Sequence, residues 1–355
     1  MRAVVYDAYG QPPQVLDVPA PSAPPGGVVV RVAATGVCRS DWHAWMGHDP
    51  VALPHVPGHE LVGTIEALGS GVREWRVGDR VTVPFVCGCG VCATCRAGDP
   101  QVCPHQTQPG FTGWGSFAEF VALHSADANL VRVPEAIGDA EAAALGCRFA
   151  TAYRAVTAHG GIGVGQGPQR PWLAVFGVGG VGLSALLIGS ALGARVVAVD
   201  VSADALATAR RLGAHATILA GSDEPHALAE RVHEATDGGA HVGIDAIGNP
   251  AVVAASVLSL RRRGRHVQAG LLLGDNAWTA LPMDRVVAHE LRVYGTHGLA
   301  AADYPAMLAL VAAQIDLSVL LGRVIGLGEA PEALAAMSRP PSPDGSGMTV
   351  VDLTR

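Results

Sequence analysis

WLAVFGVGGVGLSALLIGSALGARVVAVD, residues 172–200, is the stretch that decides the fold. An apolar run from Trp172 to Phe176 leads directly into GVGGVG at 177–182, and a helix-length apolar stretch then leads to a second run ending on Asp200. Pro171 to Ala194 carry no charge and are long enough to cross a bilayer. Six glycines and an abrupt turn break that segment, so strand, turn and helix is the reading. Gly177, Gly179 and Gly182 form GxGxxG: the first glycine turns the chain, the second lets backbone approach a pyrophosphate, and the third lets helix pack on strand. Gly180 and Val181 complete the turn at the helix amino end, which faces the phosphates. Asp200, eighteen residues beyond Gly182, would accept hydrogen bonds from the adenosine ribose and repel a 2′-phosphate. NAD is therefore expected over NADP, with Arg195, Arg210 and Arg211 leaving some tolerance of the phosphate open.

Beyond Asp200 the alternation continues. ADALATARRLGA reads as helix, ATIL as strand, PHALAERVHEAT as helix, HVGID as strand, AVVAASVLSL as helix, then RHVQAG and LRVYG as strands. Such alternation implies a doubly wound parallel sheet with helices on both faces. Residues 1–150 differ: short apolar runs such as VVVRVAATGV, LVGTIEAL and DRVTVPFV lie between turn signals, which reads as mostly β. The fold class is thus α/β, a Rossmann-type domain at 151–295 beside a β-rich domain at 1–150. The segment 296–355, with a helix-like YPAMLALVAAQI and a polar tail containing Pro340, Pro341 and Pro343, is expected to return to the first domain. HGGIGVGQGPQRP at 159–171 reads as a mobile surface connection.

The chain has 355 residues, 49% hydrophobic and 15% charged, enough for two domains. Its net charge of -7 excludes a partner held by positive field, so neither nucleic acid nor an anionic membrane is expected. All 24 basic residues are arginine, which excludes Schiff-base chemistry and the lysine-dependent phosphate loop. MRAVVYDAYG lacks the pattern of a secretory signal, so a cytoplasmic protein with reduced cysteines is expected.

Six of the seven cysteines then read as metal ligands. Cys89, Cys92, Cys95 and Cys103 have the spacing CxxCxxCx7C, with Cys87 a fifth sulfur close by as spectator or alternative ligand. Four thiolates suit a closed structural zinc. An iron–sulfur cluster is the rival, but the bacterial ferredoxin pattern has three residues before its last cysteine where this chain has seven. Cys38 and Cys147 flank GHE at 58–60, and two cysteines with one histidine suggest an open metal site.

GVCRSDWH at 36–43, PGHELVGTIEALGSGV at 57–72, VGDRV at 77–81, CGVCATCRAGDPQVC at 89–103, GCRFAT at 146–151 and GVGGVG at 177–182 together resemble the zinc-dependent alcohol dehydrogenases of the medium-chain dehydrogenase/reductase family. That family is the type case of a catalytic zinc held by two cysteines and a histidine, so the ligand set comes from the resemblance and not from spacing alone. The resemblance implies a GroES-like first domain and two zinc ions per chain. Cys38, His59 and Cys147 would hold the catalytic one, with Glu60 a nearby or transient ligand and Asp41 orienting His59. Ser40 and His43 would relay the proton released by the alcohol, Arg39 would pair with the cofactor pyrophosphate, and Thr151, Gly270 and Leu271 would lie near the nicotinamide. Phe85 would line the substrate pocket, whereas Trp45, Phe111 and Trp114 read as packing. A lysine common in the family near the adenosine ribose is absent, and Ala205 stands near its place. The implied reaction is reversible hydride transfer between a primary or secondary alcohol and NAD, giving aldehyde or ketone. The alternative is a zinc-dependent relative acting on a polyol, an aldehyde or an amino-acid-derived alcohol. A homo-oligomer, dimer or tetramer, is expected with a small-molecule substrate.

Overall fold

The computed structural model describes residues 1–163, 170–221, 224–339 and 347–355. The centre of the glycine-rich connection at 159–171 lies outside the described residues, as do Pro340, Pro341 and Pro343. The chain forms two compact units, Met1–Ala150 with Gly298–Ala312 and Asp316–Arg355, and Thr151–His297 with Ala313–Ile315.

In the first unit the organising strand is Val28–Gly36. Val28, Val30 and Val32 turn inward on one face, and on the other Arg31 is exposed while Val29 and Thr35 are buried, so that second face is partly covered as well. Leu61–Leu68 pairs with it antiparallel, and so does Phe120–Leu123. Val28, Val30 and Val32 meet Leu61, Ile65, Val81, Val121 and Leu123 in one core. Burying each such side chain stabilises the unit by about 1.5–3 kcal/mol. The chain's last strand, Met348–Asp352, pairs antiparallel with Val28–Gly36 and parallel with Leu321–Gly326, so both late strands belong to this sheet. The run DRVTVPFV supplies only the short strand Arg80–Thr82, because Pro84 has no N–H for a ladder and the chain turns away into the cysteine run.

The second unit carries a six-stranded parallel sheet. From one edge to the other its strands are Ala216–Leu219, Arg195–Asp200, Trp172–Phe176, Ala240–Asp245, Leu260–Gln268 and Arg292–Gly295. All five residues of Trp172–Phe176 are buried. That follows from helices covering both faces, which makes the central strand continuously apolar and not alternating. The strand order reverses direction between Trp172–Phe176 and Ala240–Asp245. Ligands of such sheets bind at that point, outside the carboxyl ends of the strands.

Candidate functional site

Both cysteine groups close in space. The ligand atoms of Cys38, His59 and Cys147 lie within 4.8 Å of one another, as do those of Cys89, Cys92, Cys95 and Cys103. All seven cysteines are free thiols.

The first group is assembled from three places in one unit. Cys38 caps the helix Arg39–Trp45, and Asp41 in its first turn reaches back, its Oδ2 accepting from the Cys38 N–H at 2.9 Å. The other oxygen, Oδ1, accepts from the Gly58 N–H at 3.0 Å and from Nδ1–H of His59 at 2.8 Å. One fully buried carboxylate therefore fixes two ligand segments and the histidine tautomer. Gly58 has φ +108, and a Cβ there would meet Phe117 Cδ1 and Ser116 Oγ at 2.6 Å, which is why the GHE segment opens on glycine. Cys147 sits in the π-helical segment Leu145–Phe149, a wide turn of a kind common at functional sites.

The chemistry of this donor set fits a metal. With Nδ1 committed to Asp41, Nε2 of His59 carries the free lone pair, and this buried atom has no partner among the described residues. Burial works against charge on His59, but the Asp41 carboxylate beside it and the Cys38 thiol together hold its pKa well above the ordinary value. Contact with Cys147 lowers Cys38 well below the cysteine range, and contact with Cys38 raises Cys147 well above it. A cation among these atoms removes the conflict, since it binds both sulfurs as thiolates and the imidazole as neutral.

Glu60 is not part of that cluster. Its buried carboxylate accepts from the backbone N–H of Arg148 at 3.1 Å and from Nε at 3.0 Å, and Nη2 of Arg148 donates to its second oxygen. Burial pushes Glu60 up while Arg148 pulls it down, leaving it raised. Sequence reading missed Arg148 as this partner, although it lies inside the quoted GCRFAT, because the pair is separated by 88 residues. Phe85 packs with Cys38, Val86 and Cys147. Phe111, read as packing, stands edge-on to the His59 ring at 5.3 Å between centroids. Trp45 is buried with Tyr6, Val51 and Leu334, and Trp114 donates to Pro54 O, both roles of scaffold. Ser40 Oγ lies 3.9 Å from Cys38 Sγ, and His43 pairs with His48. The exposed Arg39 donates to Met337 O and covers the Trp42 ring.

In the cysteine run, sulfurs of Cys92 and Cys103 are 3.6 Å apart and those of Cys89 and Cys95 are 4.0 Å apart. Backbone N–H groups of Cys89 and His105 point at Cys103 Sγ, and that of Cys95 at Cys92 Sγ, donors that stabilise thiolate. The Cys95 N–H holds Cys92 down to about 6. Cys87 lies outside this cluster in the strand core, where burial pushes it up to about 12.

The second unit presents the dinucleotide loop. Gly177 has φ +84, and a Cβ on Gly182 would lie 1.8 Å from Gly177 O, so turn and helix contact both demand glycine. A Cβ on Gly179 would meet nothing within 4 Å, open space of the kind a pyrophosphate needs. The helix Gly180–Ala191 starts there without a side-chain cap, with Gly180 and Val181 as its first residues, so its amino-end N–H groups are left for an anion. Asp200 accepts from the Val178 N–H and the Ser202 N–H, both at 2.8 Å, tying the glycine turn to the next strand end. Arg195 begins that strand and stacks on Trp172, about 16 Å from Asp200 at the usual rise per residue. Arg210 and Arg211 donate to Thr217 and Thr208. Gly270 follows the fifth strand at its carboxyl end and packs on the backbone of Ile247 and Gly248, with Leu271 half exposed beside it. Thr151 opens this unit, nearly buried.

Known proteins agree with this pairing of units. Residues 24–135 match the model of the alcohol dehydrogenase GroES-like domain, and residues 180–313 match that of zinc-binding dehydrogenase. An alcohol dehydrogenase from Geobacillus stearothermophilus is 33% identical over 302 residues, 83% of this chain and 84% of that one. The chain belongs to the zinc-dependent alcohol dehydrogenase family. An alcohol dehydrogenase from Moraxella sp. (strain TAE123) is 36% identical to this dehydrogenase over 279 residues, 78% and 79% of the two chains. The solved structure of alcohol dehydrogenase TADH from Thermus sp. ATN1 covers 99% of both chains with a TM-score of 0.88 at 28% identity. Four sulfurs alone suit zinc or an iron–sulfur centre, and the family is one of zinc-binding dehydrogenases.

Proposed function

We propose that this dehydrogenase catalyses the reversible oxidation of a primary or secondary alcohol to an aldehyde or ketone with NAD. The single observation that carries the reading is His59, whose Nδ1 is tied to Asp41 and whose buried Nε2, beside the thiols of Cys38 and Cys147, has no hydrogen-bond partner among the described residues. Those three residues would hold the catalytic zinc, and Cys89, Cys92, Cys95 and Cys103 the structural one. When bound, the zinc supplies Lewis acidity at the substrate oxygen and the dinucleotide supplies a hydride acceptor.

The chain's own residues do the rest. Asp41 keeps the His59 ring in the tautomer and orientation that present Nε2. The Glu60–Arg148 pair holds the GHE segment against the Cys147 turn through three hydrogen bonds, and so keeps ligands from distant parts of the chain in register. Phe85 and Phe111 cover the His59 ring with apolar surface, which keeps water from the reacting oxygen and strengthens charge interactions there. Ser40, close to Cys38, takes the alcohol proton, and His43 carries it outward. Gly177, Gly179, Gly180, Val181 and Gly182 seat the pyrophosphate, helped by Arg39. Asp200 selects the unphosphorylated ribose, and Thr151, Gly270 and Leu271 flank the nicotinamide.

Among the described residues no helix is long and apolar enough to cross a membrane. Seven unpaired thiols support a reducing, cytoplasmic setting. The open outer strand Arg292–Gly295, with exposed Trp278, Met283 and Val287 nearby in sequence, supports a homo-oligomer. The test is a panel of primary, secondary and polyhydric alcohols with NAD and NADP, followed by the near-ultraviolet absorbance of the reduced cofactor. NADH formation from simple alcohols supports the reading; no reduction with any alcohol refutes it.

A further inference from the structure

The helix Arg39–Trp45 ends in a way that brings two histidines together. Its C-cap is Met46, and Gly47 follows with φ +76 in the left-handed region that closes a helix. The Gly47 N–H then donates to Ala44 O at 3.0 Å and the His48 N–H to His43 O at 2.9 Å. These are the two bonds of a Schellman motif, in which the residue after the left-handed position folds back over the residue three before the cap. An apolar contact usually fills that place. Here it is filled by two imidazoles, with Nδ1 of His43 3.1 Å from Nδ1 of His48.

A contact between two ring nitrogens holds one proton, with one ring donating and the other accepting. His43 is half buried and His48 exposed, so the pair runs from the protein toward water. Trp42 stands edge-on to both rings, at 4.9 Å from His43 and 5.3 Å from His48, and its indole N–H is anchored on Ser338 Oγ at 2.8 Å. The groups bearing on His43 are His48, Arg39, Cys38 and Asp49. Burial, then His48 and Arg39, lower its pKa below the ordinary histidine value, so His43 passes a proton on and does not store it.

We propose that His48 is the outer half of a two-histidine proton outlet: it accepts at Nδ1 the proton that His43 gives up from its own Nδ1, and releases one from Nε2 to solvent. The proposal rests on the reading that His43 carries the alcohol's proton outward. A proton arriving at His43 Nε2 makes the ring doubly protonated; the Nδ1 proton crosses to His48; and His48 returns to neutral by losing its Nε2 proton to water or buffer. Before the next turnover His48 takes a proton at Nε2 from water, passes its Nδ1 proton back to His43, and His43 releases its Nε2 proton to water, which restores the starting tautomers. The outlet therefore needs His43 to rest as the Nδ1–H tautomer, the less common form of a free imidazole in water.

The experiment compares the zinc-loaded enzyme with His48→Phe and His43→Gln. Phenylalanine keeps a ring over the helix end but has no nitrogen, so a purely structural cap survives it. Single-turnover alcohol oxidation is followed by NADH absorbance and by a pH-indicator dye, at low and high imidazole buffer and constant ionic strength. His48→Phe is expected to slow proton release roughly tenfold at low buffer, less than the hundredfold or more of a group acting directly at the reacting oxygen, and imidazole should restore it. In the enzyme without cofactor, 15N–1H spectra of the imidazoles should show His43 as Nδ1–H, reverting to Nε2–H in His48→Phe. A His48→Phe enzyme as fast as the parent beside a slowed His43→Gln overturns the outlet and leaves the relay reading standing. A slow His48→Phe enzyme that imidazole does not rescue, or His43 resting as Nε2–H in the parent, also overturns the outlet. If both variants match the parent, the relay reading falls and the outlet with it.

Discussion

Asp41→Asn changes one atom type in a fully buried side chain, and the structure says what that atom does. Oδ1 accepts two donors, Nδ1–H of His59 and N–H of Gly58, whereas Oδ2 accepts one, N–H of Cys38. The asparagine amide will therefore place its carbonyl oxygen toward His59 and Gly58, and its NH2 will face the Cys38 N–H across a 2.9 Å contact. Two donors then confront each other, and one buried backbone N–H is left unsatisfied at a cost of about 1–3 kcal/mol. The His59 bond also loses its charge-assisted part, roughly another 1 kcal/mol. Both losses fall on segments that present metal ligands, so the expected result is a fall in zinc affinity of about 10- to 100-fold, or about 1.4–2.7 kcal/mol. Competition against a chelator measures it, and the four-cysteine site, which Asp41 does not touch, is the internal control. A variant that holds both zinc ions as tightly as the parent would refute the claim that Asp41 positions His59 and Cys38 for a metal.

Cys95→Ser should lower thermal stability or assembly while NADH binding survives, because metal binding in the four-cysteine run is folding free energy; an unchanged melting curve argues against a structural metal there. Arg148→Ala leaves the Glu60 carboxylate buried without its guanidinium and should destabilise by about 3–5 kcal/mol, recovered in part by adding Glu60→Gln, as denaturant unfolding can measure. Equal stability of the single variant would mean that the pair contributes nothing. Asp200→Gly should relax the preference for NAD over NADP and, since Asp200 also holds the Val178 N–H, weaken binding of both cofactors. Competing kinetics with the two cofactors decide it, and a retained NAD preference contradicts the ribose role.

What the sequence made legible was whatever lies close together along the chain. The run from Cys89 to Cys103 and the loop from Gly177 to Gly182 carry their ligand geometry in their own spacing, and the strand and helix grammar around Trp172 to Asp200 follows from apolar periodicity. Partners across long separations stayed hidden. Nothing in the order of residues marks Arg148 as the partner of Glu60, Phe111 as a neighbour of the His59 ring, or Tyr304, whose hydroxyl reaches Leu145 O and Gly146 O beside the Cys147 turn. These contacts exist only once the sheet around Val28–Gly36 has brought distant segments together. His48 is a different case: the helix, the glycine after its cap and the second histidine are all local, and the Schellman pattern could have predicted their meeting. Asp200 shows one residue with two duties, since its position at a strand end signalled the ribose but not the hydrogen bond that ties down the glycine turn.

In the proposed function Cys38, His59 and Cys147 hold a zinc on which alcohol oxidation depends, apart from the zinc of the cysteine run. It is tested most directly by zinc content and NADH formation measured together on the parent chain and on Cys147→Ala. Two zinc ions and steady NADH formation are expected in the parent, and one zinc ion with unimpaired NADH binding but no turnover in the variant. A variant that keeps both metals and oxidises alcohol at the parent's rate would contradict it.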